Sequence, residues 1–105
     1  MQVTLKDVAN VIRSKNAGPF ELTLDVLLKD PETFTKMQNA DIINKKVIAQ
    51  LYKIPEEEVL SIVYFPNALA IKATIVRPLP SGAMGERDVY GAQQHGPLVN
   101  FTFDI

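Results

Sequence analysis

The strongest constraint on the fold is an alternating segment, FELTLDVLL at 20–28. Acidic or hydroxyl side chains separate the apolar ones over most of its length. The apolar positions on one face are Phe20, Leu22, Leu24, Val26 and Leu28. Because successive side chains of a strand point to opposite faces, the segment predicts a strand in a sheet that is covered on one side only.

The residues before this strand predict a helix. Thr4 is a suitable N-cap, and Asp7 stands three residues later near the positive end of the helix dipole. Apolar residues follow at helical spacing, at positions 5, 8, 9 and 12. Asn16, Gly18 and the proline after it discourage continuation, so we expect the helix to end near Ser14.

Two helices and three strands are predicted in the rest of the chain. Asp30 and Asn44 are N-cap residues that begin two short helices, and Pro55 ends the second. LSIVYF and ALAIKATIVR are separated by Pro66-Asn67, a turn-forming pair, and predict a β-hairpin. VNFTFDI at 99–105 predicts the last strand.

The predicted order is α-β-α-α-β-β-loop-β, which indicates a single α+β domain spanning residues 1–105. We expect a four-stranded, mainly antiparallel sheet with helices on one face, a ferredoxin-like or related open-faced sandwich. The other face is then too polar to form a core. Its predicted members are Glu21, Thr23, Asp25, Ser61, Lys72, Thr74, Asn100, Thr102 and Asp104.

Composition excludes several classes of function. Eleven basic and twelve acidic residues give a net charge of −1, which argues against binding to nucleic acid. The chain has no cysteine and only one histidine, His95, which excludes thiolate and poly-histidine metal sites. Carboxylates can hold Mg²⁺, but no EF-hand spacing occurs, and GAMG at 82–85 does not follow a strand and open a helix as a dinucleotide fingerprint does. We therefore predict no metal site and no bound cofactor. The N-terminus lacks the apolar run of a signal peptide and no segment approaches a membrane span, so the cytoplasm is the expected location.

The first candidate functional segment is RSKNAGP at 13–19. A guanidinium, a hydroxyl, an ammonium and an amide within four residues can hold a carboxylate or a phosphate. Cations and glycine at the end of a helix are equally explained by the helix dipole and by a left-handed C-terminal turn. The candidate binding residues are Arg13, Ser14, Lys15, Asn16 and Gly18.

The second candidate segment is DVYGAQQHGP at 88–97, which ends a loop of about twenty residues, a length typical of lids and binding loops. His95 can act as a general acid or base, with Asp88 orienting it. Alternatively, these side chains bond to the backbone of their own loop. The candidate residues are Asp88, Tyr90, Gln93, Gln94 and His95.

Lys72 stands in the middle of an apolar strand, where a lysine is either a nucleophile with a lowered pKa or a solvated residue of the open face. Arg13 and Arg77 can pair with Glu21 or Asp25 across the sheet.

Three long strings resemble a family of small bacterial proteins known as domain of unknown function 4387. They are DVANVIRSKNAGPFELTLD at 7–25, ALAIKATIVRP at 68–78 and DVYGAQQHGPL at 88–98. The resemblance implies a larger companion similar to acyclic terpene utilisation protein A and a role in the catabolism of carboxylic acids or acyl-CoA. A basic motif of that companion is similar to residues 13–15, whereas Asn16 and Ala17 depart from it.

Three hypotheses about function follow. The first is a small accessory subunit of a two-component catabolic enzyme, which binds the larger partner and contributes an anion-binding surface. The second is a non-catalytic module that assembles into a homo-oligomer through the open sheet face. The third is a self-sufficient small lyase or isomerase that uses His95. The candidate catalytic residues are Lys15 and His95.

Overall fold

A computed structural model describes residues 2–18, 20–76 and 96–105 of the chain. The described elements confirm the α+β class, with a four-stranded antiparallel sheet and helices. In chain order they are β1 (Gln2–Thr4), α1 (Leu5–Val8), β2 (Ala9–Asn16), β3 (Glu21–Leu28), α2 (Pro31–Asn39), α3 (Lys45–Tyr52), a 3₁₀ turn (Glu56–Glu58), β4 (Val59–Phe65), a second 3₁₀ turn (Pro66–Ala68), β5 (Ala70–Val76), α4 (Gly96–Val99) and β6 (Thr102–Asp104).

The main sheet has the strand order β2-β3-β5-β4, and every neighbouring pair is antiparallel. The predicted alternation of β3 is confirmed, because Leu22, Leu24, Val26 and Leu28 are all buried. The helices α2 and α3 add Phe34, Met37, Ile48 and Ala49 to the same core. Together they cover one face of the sheet, as the sequence predicts. The ferredoxin-like subtype stays a prediction.

The predicted helix from Thr4 to Ser14 is wrong. Only Leu5–Val8 form a helical turn, and the backbone is already extended at Ala9. Residues 9–16 form β2, which pairs with β3 from Ala9↔Leu28 to Asn16↔Leu22. Strand β3 therefore has a hydrogen-bonded neighbour on each side. This pairing supplies hydrogen-bond partners to the backbone groups of residues 9–16 that face β3, and it outweighs a helical spacing of only four apolar residues.

The predicted last strand is shorter than expected and belongs to another sheet. Residues 96–99 are helical, and β6 pairs with β1 in a two-stranded sheet, with Val3 opposite Phe103. The main sheet nevertheless has four strands because β2 takes the place expected for β6. Phe20 was expected to face the core, but it precedes β3 and is 57% exposed.

The predicted helix starts are confirmed. The side chain of Asp30 accepts a hydrogen bond from the Thr33 amide at 2.7 Å, and that of Asn44 accepts one from the Val47 amide at 2.9 Å. Each replaces a partner that the first helical turn cannot supply. The amide hydrogen bond of Thr33 holds the pKa of the Asp30 carboxyl below its usual value.

Tyr64 connects the sheet to the segment that joins α2 and α3. Its hydroxyl donates to the carbonyl oxygen of Ile43 at 2.9 Å and accepts from the Ile43 amide at 3.2 Å. Its ring meets Phe34 edge to face, with the ring centroids 5.8 Å apart. Burial raises the pKa of the Tyr64 phenol. The side chain thereby fixes the helical layer against β4.

Candidate functional site on the open face of the sheet

The strand register decides which side chains share the face of the main sheet that the described helices leave uncovered, which we call the open face. Directly paired residues of neighbouring strands point to the same side. The middle row across the open face is Arg13–Asp25–Lys72–Val63. Positions 13 and 72 are far apart in sequence, yet only the strand carrying Asp25 separates them. The backbone pairing therefore gathers charges from three strands into one row.

Arg13 and Asp25 form an ion pair in this row. The Nε of Arg13 donates to Oδ2 of Asp25 at 3.2 Å, which confirms one of the pairings predicted across the sheet. The side chain of Arg13 is 57% exposed and that of Asp25 is 14% exposed. The carboxylate is thus sheltered, while more than half of the Arg13 side chain is exposed to solvent.

The next row on the open face is Lys15–Thr23–Thr74–Ser61, in which three hydroxyl groups follow a lysine. The hydroxyl of Thr23 is buried and donates to the carbonyl oxygen of Lys15 at 3.3 Å. This hydrogen bond fixes the Lys15 backbone to the centre of the sheet. The ammonium group of Lys15 extends from an anchored position beside the hydroxyl groups.

Arg13, Lys15 and Lys72 together form what we call the cation cluster. All three residues are exposed. Two inter-strand spacings separate Arg13 from Lys72, so their Cα atoms are about 10 Å apart. Long side chains can converge over that distance on one carboxylate or phosphate by charge-assisted hydrogen bonds. Asp25 lies within the cluster and Glu21 at its end, so the local charge is +3 − 2 = +1 in a chain of net charge −1.

The third row of the open face, Val11–Leu27–Ala70–Phe65, is apolar. With Val63 it forms what we call the apolar patch. Val11 is 38% exposed, Val63 39% and Phe65 44%. The open face is therefore divided, with apolar side chains at one end, hydroxyl groups at the other and cations between them.

Strand β2 places the candidate residues of the 13–19 segment on opposite faces of the sheet. Ser14 and Asn16 lie opposite Leu24 and Leu22, on the face that the helices cover, whereas Arg13 and Lys15 point to the open face. The interpretation of this segment as the cap of a helix is wrong, since no helix ends there. Gly18 lies in the turn after β2, with a φ of 136°.

Lys72 lies within the described part of the chain, whereas several other predicted site residues do not. For Lys72, the solvated alternative is confirmed by its exposure on the open face. The structure brings Arg13, Lys15 and Lys72 together. The predicted residues outside the described ranges are Arg77, Asp88, Tyr90, Gln93, Gln94 and His95.

Sequence reasoning missed the apolar patch because it treated the open face as uniformly polar. The signal was present in VLSIVYF at 59–65, which lacks the regular polar alternation of 20–28. A strand that is apolar on both faces is covered on both sides or meets a partner. Val63 and Phe65 are the side chains that this signal identifies on the open face.

The fold and the open face together define a small open-faced α+β sandwich. The chain belongs to the family described as Domain of unknown function (DUF4387), whose model matches residues 5–102. No curated protein and no solved structure matches the chain significantly. In the part of the chain that the structure describes, no helix is long and apolar enough to cross a membrane.

Proposed function

We propose that the chain is the small accessory subunit of a two-component catabolic enzyme and contributes an anion-binding surface for a carboxylate or acyl-CoA substrate. The observation that carries the proposal is the register that sets Arg13, Lys15 and Lys72 on one exposed face around Asp25. Lys15 and Lys72 form no ion pair with any residue in the described ranges, so both ammonium groups are available to an anion.

The open face favours an accessory role over an isolated site. Its cations are exposed, and an anion held only by exposed side chains is well screened by water. A second surface placed over the cluster excludes water and strengthens each charge-assisted hydrogen bond. The partner we propose is the larger protein, similar to acyclic terpene utilisation protein A, that the family resemblance implies.

The test of anion binding is a titration of the isotope-labelled chain with acetate and, separately, with coenzyme A, followed by amide chemical shifts. We expect shifts at residues 13–15, 23–25 and 72–74, with weak affinity because the surface is open. The double variant Lys15→Ala/Lys72→Ala should lose these shifts. The matched control is Lys45→Ala/Lys46→Ala, which removes two exposed lysines from α3. Equal shifts in both double variants would refute the anion-binding role.

The apolar patch supports a second candidate, a homo-oligomer assembled through the open face. Native mass spectrometry distinguishes the two. A stable oligomer that dissociates on Val63→Thr favours the second candidate, and a monomer that binds no copy of itself excludes it. Activity that depends on His95 stays a prediction, and turnover by the isolated chain would test it.

A further inference from the structure

We infer that the apolar patch docks an amphipathic helix of a partner protein, and that carboxylates flanking the apolar stripe of this helix meet Arg13 and Lys72. The inference rests on the accessory-subunit role proposed above and names the partner's contact surface. In the isolated chain all three cations of the cluster are open to an anion. In the complex with the partner, Lys15 and the hydroxyl groups of Thr23, Thr74 and Ser61 remain for the substrate anion.

The dimensions of the apolar patch suit one helix. Its main row crosses four strands, from Val11 on β2 to Phe65 on β4. Three inter-strand spacings make this row about 14 Å long. A helix with side chains is about 10–12 Å wide, and its apolar stripe presents residues at i, i+3, i+4 and i+7. Phe65 is the largest side chain of the patch and the one suited to insert between the residues of that stripe.

Each edge strand of the main sheet has one register shift, which weakens the pairing of a further strand at that point. The edge strand β2 has a register shift between Ala9 and Val11, and the edge strand β4 has one between Val59 and Ser61. A bulge disturbs the row of backbone donors and acceptors that another strand would need. Strand addition is therefore disfavoured near these two shifts, and the open face offers a partner an exposed apolar surface in the described part of the chain.

Charge decides between a partner protein and a second copy of the chain. The row beside the apolar patch holds two cations, Arg13 and Lys72, and one carboxylate, Asp25, which Arg13 already binds. Two copies packed face to face each present a net positive surface, because Arg13, Lys15 and Lys72 outnumber Asp25 and Glu21, and this like charge opposes association. A helix with Asp or Glu beside its apolar stripe is complementary to both features. The predicted occupant is thus a different protein with carboxylates at the contact.

The experiment is site-specific photo-cross-linking in the native host. A benzophenone amino acid replaces Phe65 in one strain and Phe20 in the control strain. Phe20 is also an exposed aromatic residue, 57% exposed, but lies outside the patch. We expect the probe at 65 to join a peptide of one other protein, with apolar residues at helical spacing and an Asp or Glu within one turn. A cross-link to a second copy, to a peptide without carboxylates, or no more product than at position 20 would overturn the inference.

Affinity of the purified chain for the identified partner provides the second measurement. Phe65→Ser and the nearly isosteric Val63→Thr should each weaken the Kd, with Phe65→Ser costing about tenfold or more as expected for a central aromatic anchor. The control Phe20→Ser should change the Kd by less than about twofold, as for a residue outside the contact. Unchanged affinity in both patch variants contradicts docking at this surface.

The anion titration is made on the isolated chain, so the two proposals fail separately. If Phe65→Ser no longer binds the partner and acetate shifts no amide of the cation cluster, the docking surface is supported and the anion-binding role is refuted. If acetate shifts these amides and the probe at 65 captures nothing, the anion-binding surface stands and the docking inference falls.

Discussion

Arg13 and Asp25 form an ion pair between adjacent strands, with 3.2 Å between Nε and Oδ2. The pair defines both the charge and the orientation of the candidate site. Asp25 neutralises one cation of the cluster, while Lys72 lies opposite the same carboxylate on the next strand and makes no ion pair within the described ranges.

Removing the charge of Asp25 should strengthen anion binding while changing stability little. Partly exposed pairs are worth about 0.2–1 kcal/mol, so Asp25→Asn should lower the free energy of unfolding by no more than about 1 kcal/mol. Loss of one negative charge about 6 Å from a bound anion removes roughly 0.7 kcal/mol of repulsion in water, about threefold in affinity. Urea denaturation and the acetate titration measure the two effects.

The control for this prediction is Glu32→Gln, which breaks the ion pair with Lys36 on α2. It should leave anion affinity unchanged because α2 packs on the covered face of the sheet. Weaker anion binding by Asp25→Asn would contradict the assigned site.

Gly18→Ala should destabilise the fold through the backbone alone. Gly18 has a φ of 136°, and a Cβ built on it meets no atom within 4 Å. The cost is therefore conformational, about 1–3 kcal/mol for a residue with a side chain whose backbone is held in a sparsely populated φ/ψ region. Gly96→Ala is the control, because Gly96 also has open space around it but no positive φ. Equal unfolding midpoints for the two variants would show that the turn relaxes without cost.

Tyr64→Phe should destabilise the connection between the helices and the sheet. The variant leaves the amide and carbonyl of buried Ile43 without the phenol, at a cost of about 1–3 kcal/mol. Thermal unfolding at neutral pH measures this loss, and an unchanged melting temperature would contradict the structural role of the hydroxyl.

The raised pKa of two partly buried tyrosine phenols predicts how stability changes at alkaline pH. Burial raises the pKa of Tyr64 and of Tyr52 in the folded chain, whereas in the unfolded chain both ionise near their usual pKa of about 10. Their contribution to stability is thus complete below about pH 10 and is lost as the pH rises toward the folded-state pKa. Tyr64→Phe should reduce the loss of folding stability at alkaline pH, and the loss that remains should come from Tyr52. Denaturation at pH 8 and pH 11 makes the comparison.

Lys53→Gly should stabilise the chain. Lys53 ends α3 in the left-handed region, with φ 58° and ψ 46°, where glycine is the favoured residue. Relief of this conformation should contribute about 1 kcal/mol, or about 4–8 °C in Tm for a domain of this size. Gln50→Gly, at an exposed position in the interior of α3, should cost about 1 kcal/mol instead. A lower Tm for Lys53→Gly would show that the lysine side chain contributes more than the strain costs.

Local signals predicted those parts of the fold that depend on neighbours in sequence. Asp30 and Asn44 begin helices because a short polar side chain can satisfy an amide three residues later. Pro66-Asn67 separates two strands that become β4 and β5. The alternation of 20–28 correctly predicts the buried face of β3 from Leu22 onward, and Phe20 departs from it because the turn ends there.

The first element could not be assigned in the same way. Apolar residues at 5, 8, 9 and 12 match a helix over about two turns, but Leu5 and Ala9 are also buried when the chain turns once and then extends. Whether residues 9–14 form a helix or a strand depends on the pairing of β2 with β3. The apolar pattern of residues 4–14 carries no information about that pairing. The pairing of β1 with β6, which joins the two ends of the chain, is equally remote from local signals.

Local sequence patterns were sufficient for the α+β class, the covered face of β3 and the starts of α2 and α3, whereas the ion pair of Arg13 with Asp25 was one of four pairings that the sequence allowed. The assembled sheet places Arg13 and Lys15 with Lys72 on the open face and turns Ser14 and Asn16 toward the covered face. The physical reason is the two-residue period of a strand, since a shift of one residue in register exchanges the faces of every side chain. Local composition cannot specify that register. It is set by the pairing of β3 with a strand on each side and by the burial of one face of β3.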